Sequence, residues 1–264
     1  MYILGALAMF IVSSRIYKKL GLKRYHVFLF TLAAFLSDGL GAFLMGKIYT
    51  ALVAAVGGEG ESNFSIYGAV FLMPVIVALS AKIIKQPWRQ ILDMVAPGEM
   101  IARMLAKLGC LWSGCCWGFM WEYGIYNRSY KTKMFPSPLV EAIVMLIIIV
   151  VAFRYMKSKK YKPGAVYPLM TLLYASTRFI LEFTRYYRPD QYELFILGMT
   201  PWQICSIIAV AMSIIWLLAI KNNWLGKAKT YIEQKKAEKV EKERKARAEE
   251  RRLNPKKKKK AKKR

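Results

Sequence analysis

The chain has 264 residues, a formal net charge of +26 and 56% apolar residues. A soluble domain of this size does not usually combine so much charge with so many apolar residues. The two are separated along the chain, because residues 227–264 contain 19 lysines and arginines and 6 glutamates, a net charge of +13. This separation excludes an ordinary soluble globular domain and is typical of a membrane protein with a basic tail.

Seven segments approach the roughly 20 mostly apolar residues that a membrane-spanning helix needs. In chain order they are residues 2–17, 25–46, 64–84, 94–114, 138–155, 164–184 and 201–220. The first is short, and the fourth is interrupted by Glu99, Arg103 and Lys107. The N-terminal sequence shows neither the charged region nor the cleavage site of a signal peptide. The sequence therefore predicts an all-α integral membrane protein with about seven transmembrane helices.

Basic residues accumulate at alternate ends of these segments, and such ends face the cytoplasm. They follow the first, third, fifth and seventh segments, whereas the acidic loop GGEGES and residues 119–137 and 185–200 lie at the opposite ends. The N-terminus is therefore expected outside and the C-terminus in the cytoplasm. We expect two parts, a membrane domain over residues 1–220 and a Lys/Arg-rich tail over 221–264 that is partly helical and then disordered.

The sixth segment contains Tyr174, Arg178 and Glu182 at intervals of four, on one face of a helix. A charge within the hydrocarbon costs at least about 2.5–3.5 kcal/mol, so these residues need an explanation. One interpretation is a structural ion pair between Arg178 and Glu182. The other is a site for a charged ligand.

The fourth segment places Arg103, Lys107, Cys110 and Gly114 on one helix face. Two cations in this position suit the phosphate of a lipid headgroup. The alternative, long basic side chains reaching to the membrane surface, fits Lys107 better than the mid-span Arg103.

Two further polar residues in the predicted spans leave alternatives open. Tyr67, at the outer end of the third segment, is either an aromatic anchor at the membrane surface or a catalytic group. Asp38, in the second segment, either pairs with a basic residue or lines a cavity.

The cysteine and histidine pattern predicts no metal site. There is one histidine, and the four cysteines (Cys110, Cys115, Cys116 and Cys205) do not have zinc-site spacing. Within one helix, Cys110 and Cys115 would point away from each other, which disfavours a disulfide. We interpret the four cysteines as small packing residues.

Five stretches carry a resemblance to a known family. The first two are LDMVAPGEMIA and then AKLGCLWSGCCWG, the second retaining Gly109, Gly114 and Gly118. They are followed by FPSPLVEA, YASTRFILEFTR and GMTPWQICSI. Their order resembles that of the signature segments of the prolipoprotein diacylglyceryl transferases, over roughly residues 2–220.

The resemblance implies a bacterial enzyme of the plasma membrane that needs no metal or cofactor. The family moves a diacylglyceryl group from phosphatidylglycerol to the lipobox cysteine thiol of a prolipoprotein, and glycerol phosphate leaves. The matching positions imply Arg178, Glu182, Lys107 and Tyr67 as catalytic residues. They imply substrate contacts from Cys110, Ser113, Gly118, Ser137, Glu141, Tyr174, Arg185 and Gln203, and the shared helix face of the fourth segment adds Arg103.

Several positions depart from the family pattern. Lys107 replaces an arginine, Tyr67 a histidine, Cys110 and Ser113 asparagines, and Cys115 a glutamate. Three possibilities therefore stay open: the family reaction, a changed lipid donor or acceptor, and a non-catalytic protein that binds lipid or a partner. We expect the tail to associate with anionic lipid headgroups. Two alternatives are that it contacts the ribosome or RNA, or that it only fixes the topology of the chain.

Overall fold

The computed structural model describes residues 2–17, 22–55, 65–186 and 198–224. Residues 1–217 form one unit, and of the second unit, residues 218–264, the structure describes 218–224. The acidic loop at 57–62, most of the segment 185–200 and the predicted tail from residue 225 onward lie outside the described residues. The predicted boundary at residue 220 stays a prediction.

Each of the seven predicted segments contains a helix in the described part of the chain. These helices are α1 (Tyr2–Ile16), α2 (Arg24–Ala55), α3 (Ile66–Ile83), α4 (Trp88–Ser113), α5 (Ser137–Lys157), α6 (Val166–Glu182) and α7 (Pro201–Lys221). Four of them, α2, α3, α5 and α7, are long and apolar enough to cross a membrane, and α1 is a shorter apolar helix. The protein is therefore mostly helical, with four candidate membrane spans.

The charged helix α4 lies at the centre of the bundle. It packs against α1, α2, α3, α5 and α6, and every residue from Ile91 to Met100 is buried. Over these residues α4 is screened from lipid by its neighbours, so it tolerates polar residues that a lipid-facing helix would not. The apolar surface is carried instead by the outer helices, for example by Leu32, Leu36 and Leu40 on α2, which are each at least 42% exposed.

The segment between α4 and α5 forms a β-hairpin that the sequence analysis did not predict. Strand β1 (Met120–Asn127) pairs antiparallel with β2 (Thr132–Met134). Beyond the strands, the Phe135 and Phe119 rings stack with centroids 5.6 Å apart. The description of the fold as all-α is therefore incomplete, because one two-stranded sheet accompanies the helices.

The two ends of α4 meet different loops. Near its start, Asp93 accepts hydrogen bonds from the Gly164 amide at 2.7 Å and the Tyr161 hydroxyl at 2.8 Å, both in the loop between α5 and α6. Beyond its end, Phe119 donates its amide to Thr184 O at 2.9 Å, just after α6. Helices α4 and α6 therefore run parallel, and the basic loop and the hairpin lie at opposite ends of the bundle.

Candidate functional site

A buried ion pair on α6 is the first component of the site. Arg178 and Glu182 form a salt bridge one helical turn apart, as the spacing predicted, and their side chains are 5% and 1% exposed. Glu182 also lies 4.0 Å from Arg185 Nη1 and accepts a hydrogen bond from Thr200 Oγ1 at 3.4 Å. The carboxylate therefore holds Arg178 in a defined orientation.

A second buried ion pair connects α4 with α5. Lys107 Nζ lies 2.7 Å from Glu141 Oε2, and the glutamate side chain is 2% exposed. Glu141 is also within electrostatic range of Arg178 and Arg185. The two ion pairs therefore form one cluster across three helices, with the cations Lys107, Arg178 and Arg185 around two carboxylates.

Tyr67 lies at the edge of this cluster and is not a surface anchor. It is 1% exposed, its hydroxyl is hydrogen-bonded to Ser206 of α7, and Arg178 and Tyr174 are within electrostatic range. Ser206 in turn donates to Trp202 O at 2.8 Å. The buried position excludes the interfacial role that was one of the two sequence interpretations.

Tyr174 brings a second hydroxyl into the cluster. Its side chain is 2% exposed, and its hydroxyl has no hydrogen-bond partner among the residues that the structure describes. Glu141 and Arg178 are in its electrostatic environment. An unpaired buried hydroxyl is unfavourable, and a bound polar ligand would satisfy it.

Arg103 is engaged by two carboxylates. Its Nη2 lies 2.8 Å from Asp38 Oδ1 of α2, and it also pairs with Glu99 on its own helix. Of the two alternatives for Asp38, the structure therefore shows the ion pair. Arg103 therefore joins α2 to α4 through two carboxylates, and its predicted role in substrate binding stays a prediction.

Gly118 and Ser137 lie where three chain segments meet. Gly118 donates its amide to Phe135 O at 2.9 Å and bridges to Arg185. A Cβ atom at Gly118 would lie 2.6 Å from Thr184 O and 2.7 Å from Ser137 Oγ, so a side chain does not fit. This close packing sets the position of Arg185 beside the ion-pair cluster.

Gln203 has a visible role as a helix cap. Its side-chain Oε1 accepts a hydrogen bond from the Thr200 backbone amide at 2.9 Å, and its backbone amide donates to Thr200 Oγ1 at 3.2 Å. This reciprocal pair stabilises the start of α7. It also fixes Thr200, which donates to Glu182, so Gln203 supports the cluster through its neighbour.

The cysteines at the end of α4 are closer together than the sequence analysis expected. The helix stops at Ser113, Gly114 adopts a left-handed conformation with φ of 79°, and the chain turns back. The Sγ atoms of Cys110, Cys115 and Cys116 consequently lie within 4.8 Å of one another. The expectation that Cys110 and Cys115 point apart is wrong, because it assumed an uninterrupted helix. Ser113 Oγ donates to Gly109 O at 3.0 Å on the exposed side of this turn.

The carboxylate of Asp93, at the other end of α4, is structural. Besides Tyr161 and Gly164, it accepts the Val166 amide at 3.0 Å. Burial and the adjacent Asp93 charge raise the pKa of Tyr161, so its hydroxyl stays protonated and remains a donor. Asp93 therefore fixes the loop between α5 and α6.

The fold and the cluster together define a class: a helical membrane protein with buried, paired charges from adjacent helices. The sequence model of the family described as prolipoprotein diacylglyceryl transferase matches residues 1–219. The chain belongs to this family.

Curated relatives carry the name phosphatidylglycerol–prolipoprotein diacylglyceryl transferase. One from Dehalococcoides mccartyi is 27% identical over 173 residues, which are 61% of this chain and 62% of the relative. One from Clostridium tetani is 25% identical over 201 residues, 70% of this chain and 78% of the relative. One from Idiomarina loihiensis is 27% identical over 166 residues, 61% of this chain and 62% of the relative. The chain thus spans less than two thirds of the first and third of these.

Sequence reasoning missed one residue of the cluster and one relationship. Ser206, the partner of Tyr67, was noted only as part of a resembling segment. The pairing of Lys107 with Glu141 was not anticipated, although both residues were candidates. A buried acidic residue early in an apolar helix is the signal that points to such a cation partner.

Proposed function

We propose that this chain transfers a diacylglyceryl group from phosphatidylglycerol to the thiol of a prolipoprotein's lipobox cysteine. The observation that carries the proposal is the buried cluster in which Lys107–Glu141 and Arg178–Glu182 meet across α4, α5 and α6. Family membership supports the same reaction, since relatives are named for it.

The cations act on the leaving group. As the acceptor sulfur forms its bond to the terminal glyceryl carbon, the bond from that carbon to the phosphate oxygen breaks and its electron pair stays on the phosphate. Arg178 and Lys107 stabilise the charge that develops there, because fixed cations in a dry site are effective at this task. Glu182 and Glu141 orient the two cations before the reaction.

We assign Tyr67 to the binding of the acceptor cysteine, whose thiol loses its proton to solvent as the thioether forms. A free thiol has a pKa near 8.5, so most of the acceptor is protonated at neutral pH. The Tyr67 hydroxyl is hydrogen-bonded to Ser206, and Arg178 lies within electrostatic range. A hydrogen bond from this hydroxyl would hold the acceptor thiolate next to the cation that binds the phosphate. Tyr174 supplies a further hydroxyl to the donor or the acceptor.

A cavity between α3, α6 and α7 suits the acyl chains of the donor lipid. Its volume is about 630 Å³, and its lining is predominantly apolar, including Val70, Pro74, Tyr167, Met212 and Trp216. Thr171 and Tyr167 of the lining lie on α6, about two and three turns before Arg178. A lipid with its tails in this cavity can extend its headgroup along α6 toward the cluster.

We further propose that all seven helices cross the plasma membrane, with the N-terminus outside and the C-terminus in the cytoplasm. The placement of the basic α5–α6 loop and the hairpin at opposite ends of the bundle supports this topology. The cluster then lies in the outer half. The tail over residues 221–264 lies on the cytoplasmic side and associates with anionic headgroups, at about 1 kcal/mol per basic residue near the surface.

The test is transfer in reconstituted vesicles. Purified full-length chain is mixed with phosphatidylglycerol and a lipobox peptide, and the thioether product is measured by mass spectrometry. A peptide with serine in place of the acceptor cysteine and vesicles without phosphatidylglycerol are the controls. Product only with the cysteine peptide and phosphatidylglycerol supports the proposal. Product with another lipid or thiol indicates a changed donor or acceptor, and no product under any condition indicates a non-catalytic protein.

A further inference from the structure

The β-hairpin between α4 and α5 carries an exposed row of aromatic rings. Phe119, Trp121 and Tyr123 are each at least 41% exposed. Phe135 joins them, since its ring lies 5.6 Å from that of Phe119 and 5.8 Å from that of Trp121, and Trp121 lies 6.1 Å from Tyr123. Proteins rarely leave an apolar surface of this size in water, so this aromatic row points to a partner.

The position of the hairpin in the chain places the aromatic row at a membrane boundary. Strand β2 ends at Met134, and α5, one of the four candidate spans, begins at Ser137. A helix that crosses the hydrocarbon begins at its edge, so the hairpin directly before it lies at the depth of the lipid headgroups. Exposed Trp and Tyr rings are favourable at this depth, because the ring is apolar and its N–H or O–H group stays hydrated.

The hairpin is fixed to the end of the helix bundle that holds the ion-pair cluster. At its turn, Asn127 Nδ2 donates to Gly114 O, at the end of α4, at 3.1 Å. At its start, Gly118 forms a β-bridge to Arg185, which lies 4.0 Å from Glu182 of the cluster. The aromatic row therefore has a defined position relative to the cluster.

The turn of the hairpin is basic. Arg128 follows β1, Lys131 precedes β2 and Lys133 lies within β2, and all three side chains are exposed. With Glu122 as the acidic residue, residues 118–136 carry a net charge of +2. Aromatic rings next to basic side chains are typical of surfaces that bind an anionic membrane interface. An apolar signal sequence brings no negative charge to these side chains, so the basic turn favours lipid over the acceptor polypeptide as the partner.

We propose that the hairpin binds the membrane surface, with its aromatic row among the headgroups and its basic turn attracting anionic phospholipid. The second part rests on the proposed transfer reaction, in which an anionic phospholipid is the donor. Lipid attracted by Arg128, Lys131 and Lys133 is concentrated at the end of the bundle where Arg185 meets the cluster. The hairpin thus raises the local supply of donor and takes no part in the bond changes.

The first experiment measures the depth of Trp121 without reference to catalysis. The full-length chain is reconstituted in vesicles of phosphatidylglycerol and phosphatidylcholine. Its tryptophan fluorescence is quenched either by lipids brominated near the top of the acyl chains or by acrylamide in the water. The difference between the parent and Trp121→Phe gives the contribution of Trp121, and this change keeps an aromatic ring beside Phe135. We expect brominated lipid to quench most of this contribution and acrylamide to quench it weakly.

Trp117→Phe is the matched control, because Trp117 lies just before the hairpin and is buried. Its contribution should be quenched less by brominated lipid than that of Trp121. Quenching of the Trp121 signal by acrylamide but not by brominated lipid would overturn the proposal, because the aromatic row would then face water. Protection from acrylamide that begins only when a lipobox peptide is added would also overturn it, and would assign the surface to the acceptor polypeptide.

The second experiment tests the basic turn by kinetics. The double variant Lys131→Gln/Lys133→Gln is compared with the parent in vesicles whose fraction of phosphatidylglycerol is varied. The fraction that gives the half-maximal transfer rate should rise at least about fivefold, equivalent to about 1 kcal/mol, while the maximal rate stays near the parental value. The difference should shrink at high salt, because exposed charges are then screened.

Lys159→Gln/Lys160→Gln is the matched control, because it removes the same charge from exposed positions in the loop between α5 and α6, at the opposite end of the bundle. It should leave the half-maximal fraction unchanged. An equal shift in the two double variants, or an unchanged fraction in Lys131→Gln/Lys133→Gln, would show that the turn does not attract the donor.

A third measurement keeps this inference separate from the proposed function. Energy transfer from Trp121 to pyrene-labelled phosphatidylglycerol, compared with pyrene-labelled phosphatidylcholine, reports the enrichment of anionic lipid without any reaction. It should favour phosphatidylglycerol in the parent and lose that preference in Lys131→Gln/Lys133→Gln. Absence of transfer activity in the parent would overturn the proposed function, and the two fluorescence measurements would still decide whether the hairpin binds anionic lipid. Equal energy transfer to the two labelled lipids in the parent would overturn the role of the basic turn.

Discussion

Removing the Arg178 charge separates the catalytic interpretation of the α6 ion pair from the structural one. Arg178 is 5% exposed, pairs with Glu182 and lies near Glu141, so Arg178→Gln leaves buried negative charge without its main partner. Breaking a buried pair costs about 3–5 kcal/mol of stability, and Arg185, at 4.0 Å, reduces that loss. Loss of one stabilising group for the leaving phosphate costs a further 2.7–4 kcal/mol of barrier, about 100- to 1,000-fold in rate.

The double variant Arg178→Gln/Glu182→Gln provides the decisive comparison. Both members of the ion pair are then neutral, so thermal stability should recover toward that of the parent. The transfer rate should stay at least about 100-fold below the parental rate. Arg178→Lys keeps the charge and loses the planar fork, and should recover part of the rate. Rates are measured in phosphatidylglycerol vesicles with a lipobox peptide, at equal amounts of inserted protein.

Asp93→Asn is the matched control for stability. It weakens a buried carboxylate that accepts three hydrogen bonds at the other end of α4, so it should lower the thermal midpoint and leave turnover per folded molecule near the parental value. Parental transfer by the double variant would refute the catalytic assignment, because the pair would then be structural.

The remaining predictions address the other candidate groups, the topology and the tail. Lys107→Ala should lower transfer about 100-fold and Lys107→Arg should keep it, measured in the same assay. Tyr67→Phe should lower transfer about 100-fold with little loss of stability, and an unchanged rate would exclude a role for its hydroxyl in binding the acceptor. Reporter fusions should report Glu59 outside and Lys159 in the cytoplasm, and the reverse would contradict the proposed topology. Deletion of residues 227–264 should change turnover per inserted molecule by less than about tenfold, or 1.4 kcal/mol.

The helices and the α6 ion pair could be predicted because both depend on residues near one another in the sequence. Apolar runs locate the helices, and the four-residue interval between Arg178 and Glu182 brings their side chains together on any α-helix. The resemblance to the family rested on short, continuous stretches of sequence, and residues 1–219 match the family's sequence model.

The contacts between helices could not be predicted, because their partners lie far apart in the chain. Tyr67 and Ser206 are 139 residues apart, and Arg103 and Asp38 are 65 apart. Nothing in one apolar helix specifies which face of another it meets. The position of the clustered cysteines depended on a smaller detail, the left-handed conformation of Gly114. This residue ends α4 just before Cys115. In a continued helix, Cys115 would have pointed away from Cys110.

The triad of Arg103, Asp38 and Glu99 has a consequence for the biogenesis of the protein. Glu99, Arg103 and Lys107 together oppose insertion of α4 into lipid by about 8–10 kcal/mol on insertion scales. Asp38 is on α2, which leaves the ribosome before α4 and offers a counter-charge at 2.8 Å. In the proposed topology, α2 precedes α4 into the bilayer, so the Asp38 carboxylate is in place to offset the Arg103 charge when α4 follows.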